Sequence, residues 1–158
     1  VARARPLVSG TTGLSPEQRG KLDAAAATIA LLWASNFSVG VAVLNELVER
    51  AARALPGWDC DIVESHHVHK KDAPSGTALT LGESAQQGGA QPRYASLRAG
   101  DIVGEHLVQF AGQGERIELV HRATNRDIFA RGALQAASGL AGRAPGAYTM
   151  RGLLFCDA

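Results

Sequence analysis

The apolar positions change their spacing several times along the chain, and each change predicts an element. A short run at 6–9 stops at Gly10-Thr11-Thr12-Gly13. Ser15 then reads as an N-cap with Pro16 at the first helical position, opening an alanine-rich helix through Ala27. The continuous apolar run 28–34 fits a parallel strand covered on both faces. After Asn36-Phe37, Ser38 caps a further helix. Val41, Leu44, Leu47, Val48, Ala51 and Leu55 mark its apolar stripe, and Pro56-Gly57 ends it. Strand, helix, strand, helix in quick succession is α/β winding.

Past Trp58 the pattern shifts. A strand over 59–65 runs into His66-His67-Val68-His69-Lys70-Lys71, and Asp72-Ala73-Pro74 turns into a helix that starts at Ser75 or Gly76 and reaches Gln87. Three strands are predicted next, 94–98, 102–110 and 116–122, joined by glycine-containing turns as a meander of hairpins. Apolar spacing predicts a last helix over 127–140, and the tail 147–155 reads as a short strand.

Composition changes this picture little. With 46% apolar and 20% charged residues over 158 positions, the chain can bury one good core, or one domain and part of another. A net charge of +1 gives no reason to expect nucleic acid or an anionic membrane as partner, so any pull on anions must be local. No apolar run approaches a membrane span, and the first residues read as strand, not as a leader. Cys60 and Cys156 form no metal or redox spacing; both are expected to be small core residues in a reducing compartment.

The chemistry concentrates at 64–78. Three histidines and two lysines lie within six residues, just past a strand end, where α/β proteins hold ligands. In extended chain His67 and His69 share one face and His66 and Val68 the other, and a turn after His69 brings Lys70 back toward His66. Imidazole exchanges protons near neutral pH, while an ammonium donates one or holds an anion. Neighbouring cations should also depress one another's pKa. Three readings stand side by side: an acid/base site, a solvated basic loop, and a His-x-His metal site drawing on His106 or His121. The two lysines oppose the last by Coulomb repulsion, so no metal is expected. The run Pro74-Ser75-Gly76-Thr77 adds free N–H groups at a helix start: a carboxylate or phosphate cradle, or simply a well-capped helix.

The stretch 64–78 resembles the signature of the 4-hydroxy-tetrahydrodipicolinate reductase (dihydrodipicolinate reductase) family of the diaminopimelate and lysine pathway. The resemblance continues through Gly10-Thr11-Thr12-Gly13, Ser35-Asn36-Phe37-Ser38-Val39-Gly40, Arg98-Ala-Gly-Asp-Ile-Val-Gly-Glu-His106, Gly114-Glu-Arg-Ile-Glu-Leu and His121-Arg-Ala. It implies that His66 is the acid/base and Lys70 a proton donor. It also implies that His67, Gly76 and Thr77 bind the carboxylates of a small dicarboxylate substrate, with Ser75 supporting them. Gly10, Thr11, Thr12, Ala34, Ser35, Asn36 and Phe37 would then hold the nicotinamide end of NADPH or NADH.

The fold implied is α/β, with a mixed-sheet substrate and oligomerisation domain at 38–125. Parts of a Rossmann-like dinucleotide-binding domain at 1–37 and 126–158 would flank it. A cytoplasmic homotetramer is implied as well. The family's opening strand, Gly-x-x-Gly-x-Met-Gly turn and pyrophosphate-binding helix have no counterpart here, so the sequence is expected to be truncated at its amino end. Smaller departures are Ser35 where the family often has proline, a shortened 86–94 connection, and an ending, Met150-Arg-Gly-Leu-Leu-Phe-Cys-Asp, without the family's usual aspartate.

Overall fold

The computed structural model describes residues 5–155. The chain folds as two compact units, one from Val1–Val39 and Asp127–Ala158, the other from Gly40–Arg126.

The first unit is a three-stranded parallel sheet. β1 (Leu7–Ser9) pairs with β2 (Ala30–Trp33), which pairs with β7 (Gly146–Tyr148). α1 (Pro16–Ala26) connects β1 to β2. It begins where the sequence predicts, because Ser15 Oγ accepts from the Gln18 N–H while the Gln18 side chain accepts from the Ser15 N–H. Leu31 packs with Ala26 and Ile29 on the α1 side. Alternation sends Leu32 to the opposite face, where α4 (Asp127–Leu140) packs on β1 and β2, and Leu32 is fully buried. A continuous apolar strand thus serves two helices at once. The tail departs from expectation: only Gly146–Tyr148 is strand, and Met150–Leu154 forms α5, capped by the Thr149 hydroxyl. A donor-hungry helix start satisfied by Thr149 wins over the apolar run's strand propensity. The expectation for Cys156 lies outside the described residues.

The second unit is a four-stranded mixed sheet in the order β4-β3-β5-β6. β3 is Asp59–His66, β4 Pro92–Arg98, β5 Gly104–Ala111 and β6 Arg116–Ala123. The predicted meander is corrected here. Only β5 and β6 form a hairpin; β4 runs parallel to β3 on the far side, and β5 lies antiparallel to β3. The helix α3 (Gly76–Gln87) between β3 and β4 makes a crossover, and a crossover returns the chain parallel to its first strand. β3 therefore becomes an inner strand, bonded on both edges.

α3 and α2 (Val39–Ala54) cover one face of this sheet. Leu44, Val48 and Ala52 of α2 and Ala78, Leu81 and Ala85 of α3 close over Cys60, Ile62, Val108 and Phe110. Cys60 is buried as expected, and burial, helped by Asp61, pushes its thiol up to about 11. Leu47, expected on the apolar stripe, is 45% exposed; Glu46 and Glu49 are buried instead. Arg50 and Arg53, one turn on, accept that burial with hydrogen bonds of 2.6 Å each. The opposite face of the sheet has no helix from this unit. Ala95, Val63, Leu107 and Val120 form an unbroken apolar row across its four strands.

Candidate active site

Side chains alternate along β3, so Cys60, Ile62, Glu64 and His66 all point to the helix-covered face. The first two belong to the apolar core. The next two continue it as a polar end. Across the sheet Glu64 is in register with Ser96 on β4 and His106 on β5, and His106 with His121 on β6. A carboxylate in such a row must be paired or it would be protonated. Glu64 is paired four ways, one of them with the Ser96 side chain. Arg98 grips it with two bonds, Nη1 to Oε2 at 3.0 Å and Nη2 to Oε1 at 2.8 Å; the Ser75 N–H donates to Oε1 at 3.3 Å; and His66 Nδ1 is hydrogen-bonded to Oε2. Burial pushes the Glu64 pKa up, but the bonds from Arg98, Ser96 and His66 together outweigh it and bring it down to about 2. The carboxylate is a fixed anion.

His66 ends β3 and is 7% exposed. Burial lowers its pKa; Glu64 raises it in opposition, and the charges of Lys70 and Arg98 lower it further. Its ring stands edge-on to that of His106, with centroids 5.2 Å apart. Beyond His66 the chain turns at once, the Lys70 N–H bonding to the His67 carbonyl at 3.1 Å. The turn comes earlier than the one after His69 that the sequence suggested, and the Lys70 charge acts on His66. Lys70 Nζ pairs with Asp72 at 2.8 Å. The Asp72 carboxyl is held below its ordinary range first by Lys70 and, more weakly, by the Gly76 N–H at the start of α3.

The remaining predicted substrate residues divide by exposure. Gly76 is exposed and Thr77 half-buried at the first turn of α3, whereas Ser75 is buried. Ser75 Oγ accepts from the Ala78 N–H at 3.2 Å and meets His106 Nε2 at 3.1 Å, so it holds α3 to the sheet from inside. His67 is half-buried, and its Nδ1 is buried without a hydrogen-bond partner. Its ring lies 6.2 Å from that of His69, and no three metal-ligating side chains converge among the described residues. Sequence reasoning left Glu64 and Arg98 without a role and gave His106 one only in the metal alternative. The available signal was the alternation itself, which puts a glutamate on a core face and so demands a cation beside it.

In the first unit, the turn at Gly10 and the loop 34–37 leave the carboxyl ends of two adjacent parallel strands, with Ser9 opposite Trp33. This is where α/β sheets take nucleotides. The Ala34 N–H bonds to Ser9 O at 3.1 Å, and Trp33 Nε1 to Thr11 O at 2.7 Å, tying the two loops together. A Cβ on Gly10 would lie 3.2 Å from the Phe37 ring. Thr11, Thr12 and Ser35 are exposed and Ala34 and Asn36 half-buried, while Phe37 is buried. Asn36 Oδ1 accepts from the Ser38 N–H at 2.8 Å. α4 can pass close by only because position 132 is glycine: a Cβ there would fall 1.7 Å from the Phe37 carbonyl oxygen. Phe37 thus lies against both the Gly10 turn and α4, and the side chains of Thr11, Thr12 and Ser35 near it in sequence are exposed.

Residues 40–154 match the family model described as "Dihydrodipicolinate reductase, C-terminus", and residues 1–37 the one described as "Dihydrodipicolinate reductase, N-terminus". The chain belongs to the dihydrodipicolinate reductase family. It is 78% identical over 154 residues to the 4-hydroxy-tetrahydrodipicolinate reductase of Stenotrophomonas maltophilia (strain R551-3), a match covering 98% of this chain and 64% of that protein. The enzyme of the same name from Xanthomonas campestris pv. campestris (strain B100) is 72% identical, with 98% and 65% covered. The chain thus spans 64–65% of the length of these curated relatives. Its fold is similar to that of a dipicolinate-bound dihydrodipicolinate reductase from Paenisporosarcina sp. TG-14. That likeness has a TM-score of 0.73 and 23% identity, covering 91% of this chain and 62% of the other.

One consequence for the dihydrodipicolinate reductase fold can be read by acid titration. Burial, then the charge of His66, lowers His106 from 6.5 to about 4. The unfolded chain therefore takes up a proton that the folded chain refuses. This contribution is complete above about pH 6.5 and is lost as pH falls toward 4, by about 3 kcal/mol. Glu64, with its pKa depressed, acts later, its contribution being lost as pH falls from about 4.5 to about 2. Urea unfolding between pH 7.5 and 4 should show a steep loss that is much flattened in His106→Gln. Equal slopes in the two proteins would assign the loss to another group.

Proposed function

We propose that this chain carries the proton-transfer and substrate-anchoring apparatus of an NAD(P)H-dependent 4-hydroxy-tetrahydrodipicolinate reductase. The substrate is a cyclic imine dicarboxylate and the product tetrahydrodipicolinate, in cytoplasmic diaminopimelate and lysine biosynthesis. The observation that carries this reading is His66, anchored on a buried carboxylate, under the charge of Lys70 from the turn that follows it. When bound, the nicotinamide supplies hydride; the rest of the chemistry is proton and charge management. Lys70 gives the proton that completes the reduction, and His66 exchanges it as acid/base. His67, with a buried ring nitrogen in want of a partner, and Gly76 and Thr77, at a helix start, anchor the two carboxylates, while Ser75 holds that helix start in place. The dipicolinate held by the Paenisporosarcina protein is a ring dicarboxylate of the same class.

Residues 38–125 serve as the substrate and oligomerisation domain in this reading, and 1–37 with 126–158 as part of the dinucleotide-binding domain. Gly10, Thr11, Thr12, Ala34, Ser35, Asn36 and Phe37 hold or shape the nicotinamide end. The uncovered row Ala95–Val63–Leu107–Val120 supports a homotetramer, since a sheet face of this kind is stabilised by burial against another copy. A second reading, a unit that folds but binds cofactor weakly, is favoured by one fact: the chain spans 64% of the length of its relatives. Fluorescence titration with NADPH and NADH tests both: weak binding by the chain alone supports the second reading, and tight binding with turnover by a chimera that adds the remaining third of the Stenotrophomonas relative supports the first. A chimera that binds cofactor yet reduces no cyclic imine dicarboxylate would overturn the assignment.

A further inference from the structure

We propose that Glu64 is the positioning residue of this site. Clamped by Arg98 and by the Ser75 N–H, it holds the neutral His66 ring as the Nδ1–H tautomer and leaves Nε2 as the atom that exchanges protons. This rests on the reading of His66 as the acid/base. Three observations support it. The Glu64 side chain has no exposed surface and is tied from three elements, β3 through His66, β4 through Arg98 and the start of α3 through Ser75. Its geometry leaves no freedom to follow the imidazole; the ring must come to it. Second, an anionic carboxylate only accepts hydrogen bonds, so the ring nitrogen facing it must carry the proton. Third, the other nitrogen lies beside position 104, where a Cβ would stand 3.0 Å from Nε2. Glycine at that point keeps Nε2 uncrowded.

The groups facing His66 are Glu64 from its own strand, Arg98 from β4, His106 from β5 and Lys70 from the following turn. Of these only Glu64 favours the imidazolium. The arrangement is that of a carboxylate that orients a histidine and stabilises the cation it becomes. It answers a problem peculiar to this site: a histidine crowded by two cations would otherwise be a poor proton carrier near neutral pH.

The test reads the ring directly and does not depend on turnover. Histidine-labelled ¹⁵N protein is followed by long-range ring correlations, with His66 assigned by the signals lost in His66→Asn. At pH 8 the wild-type His66 is expected as the Nδ1–H tautomer. In Glu64→Gln, which keeps the shape and removes the charge, the His66 titration should move to lower pH by about 1–3 units. In the chimera described above, the same substitution should lower kcat by about 10²-fold or more with KM changed far less. The pH dependence of kcat should move in the same direction as the ring titration. A wild-type ring protonated on Nε2 at pH 8 would overturn the proposal, even if the variant fails to fold. So would a Glu64→Gln titration that matches wild type. Because tautomer and titration are read without substrate, their outcome stands apart from whether the chimera proves to be a reductase.

Discussion

Lys70→Ala should lower turnover in the chimera by about 10²–10⁴-fold while leaving the melting temperature almost unchanged, and His66→Ala should lower it by a similar factor. Among the described residues Lys70 forms an ion pair with Asp72 alone, whose side chain is 58% exposed. A pair so open to water contributes little to stability, on the order of 1 kcal/mol or less. In the proposed reading the part of the ammonium is chemical, that of a proton donor whose charge acts on His66. His66→Ala removes one partner of Glu64 but leaves Arg98, Ser96 and the Ser75 N–H in place, so the carboxylate remains compensated. Steady-state rates and thermal melts on the same samples make the check. Near-normal turnover in either variant would remove that residue from the proposed mechanism.

Arg98→Ala should be the most damaging single change to the fold of the second unit, costing about 3–5 kcal/mol and lowering Tm by about 10 °C or more. The loss comes from the carboxylate left behind and far less from the guanidinium removed. Glu64 has a side chain with no exposed surface, and burial is the largest influence on its pKa. Arg98 is the first of the bonds that reverse it. Without Arg98 the burial effect dominates, and the folded pKa rises above the unfolded value. The sign of the pH dependence then inverts. In the wild type the Glu64 contribution is present above about pH 4.5 and is lost toward 2, whereas in the variant the folded state is best below about 4.5 and weakens as pH rises through the raised pKa. The gap between the two proteins should thus narrow steadily from pH 8 to pH 5. Melts that differ by less than about 1 kcal/mol at pH 8 would show that Arg98 is not what keeps Glu64 ionised.

Most element boundaries were legible because local rules carried them. Ser15-Pro16 and Ser75-Gly76 open helices through capping chemistry that involves neighbours within three residues, and the structure shows those bonds. The strands predicted over 59–65 and 102–110 are found at Asp59–His66 and Gly104–Ala111. Where neighbours in sequence were not neighbours in space, reading failed. The strand 94–98 was taken for the first leg of a meander, yet it pairs with β3 on the side away from β5, because the crossover through α3 fixes its direction. Glu46 and Glu49 point inward on α2 against a simple apolar stripe, since each brings its own arginine one turn later.

The sequence by itself determined the chemical inventory: histidines, lysines and a capped helix start packed into fifteen residues, with spacing that could only serve a charged ligand, a metal or bare solvent. Tertiary structure decided which side chains meet. Glu64, Arg98 and His106 come from three different strands and gather at one end of the sheet only after it orders itself as β4-β3-β5-β6. Hydrogen bonds and desolvation depend on distance in space, and pairing across strands sets that distance with no regard to separation along the chain.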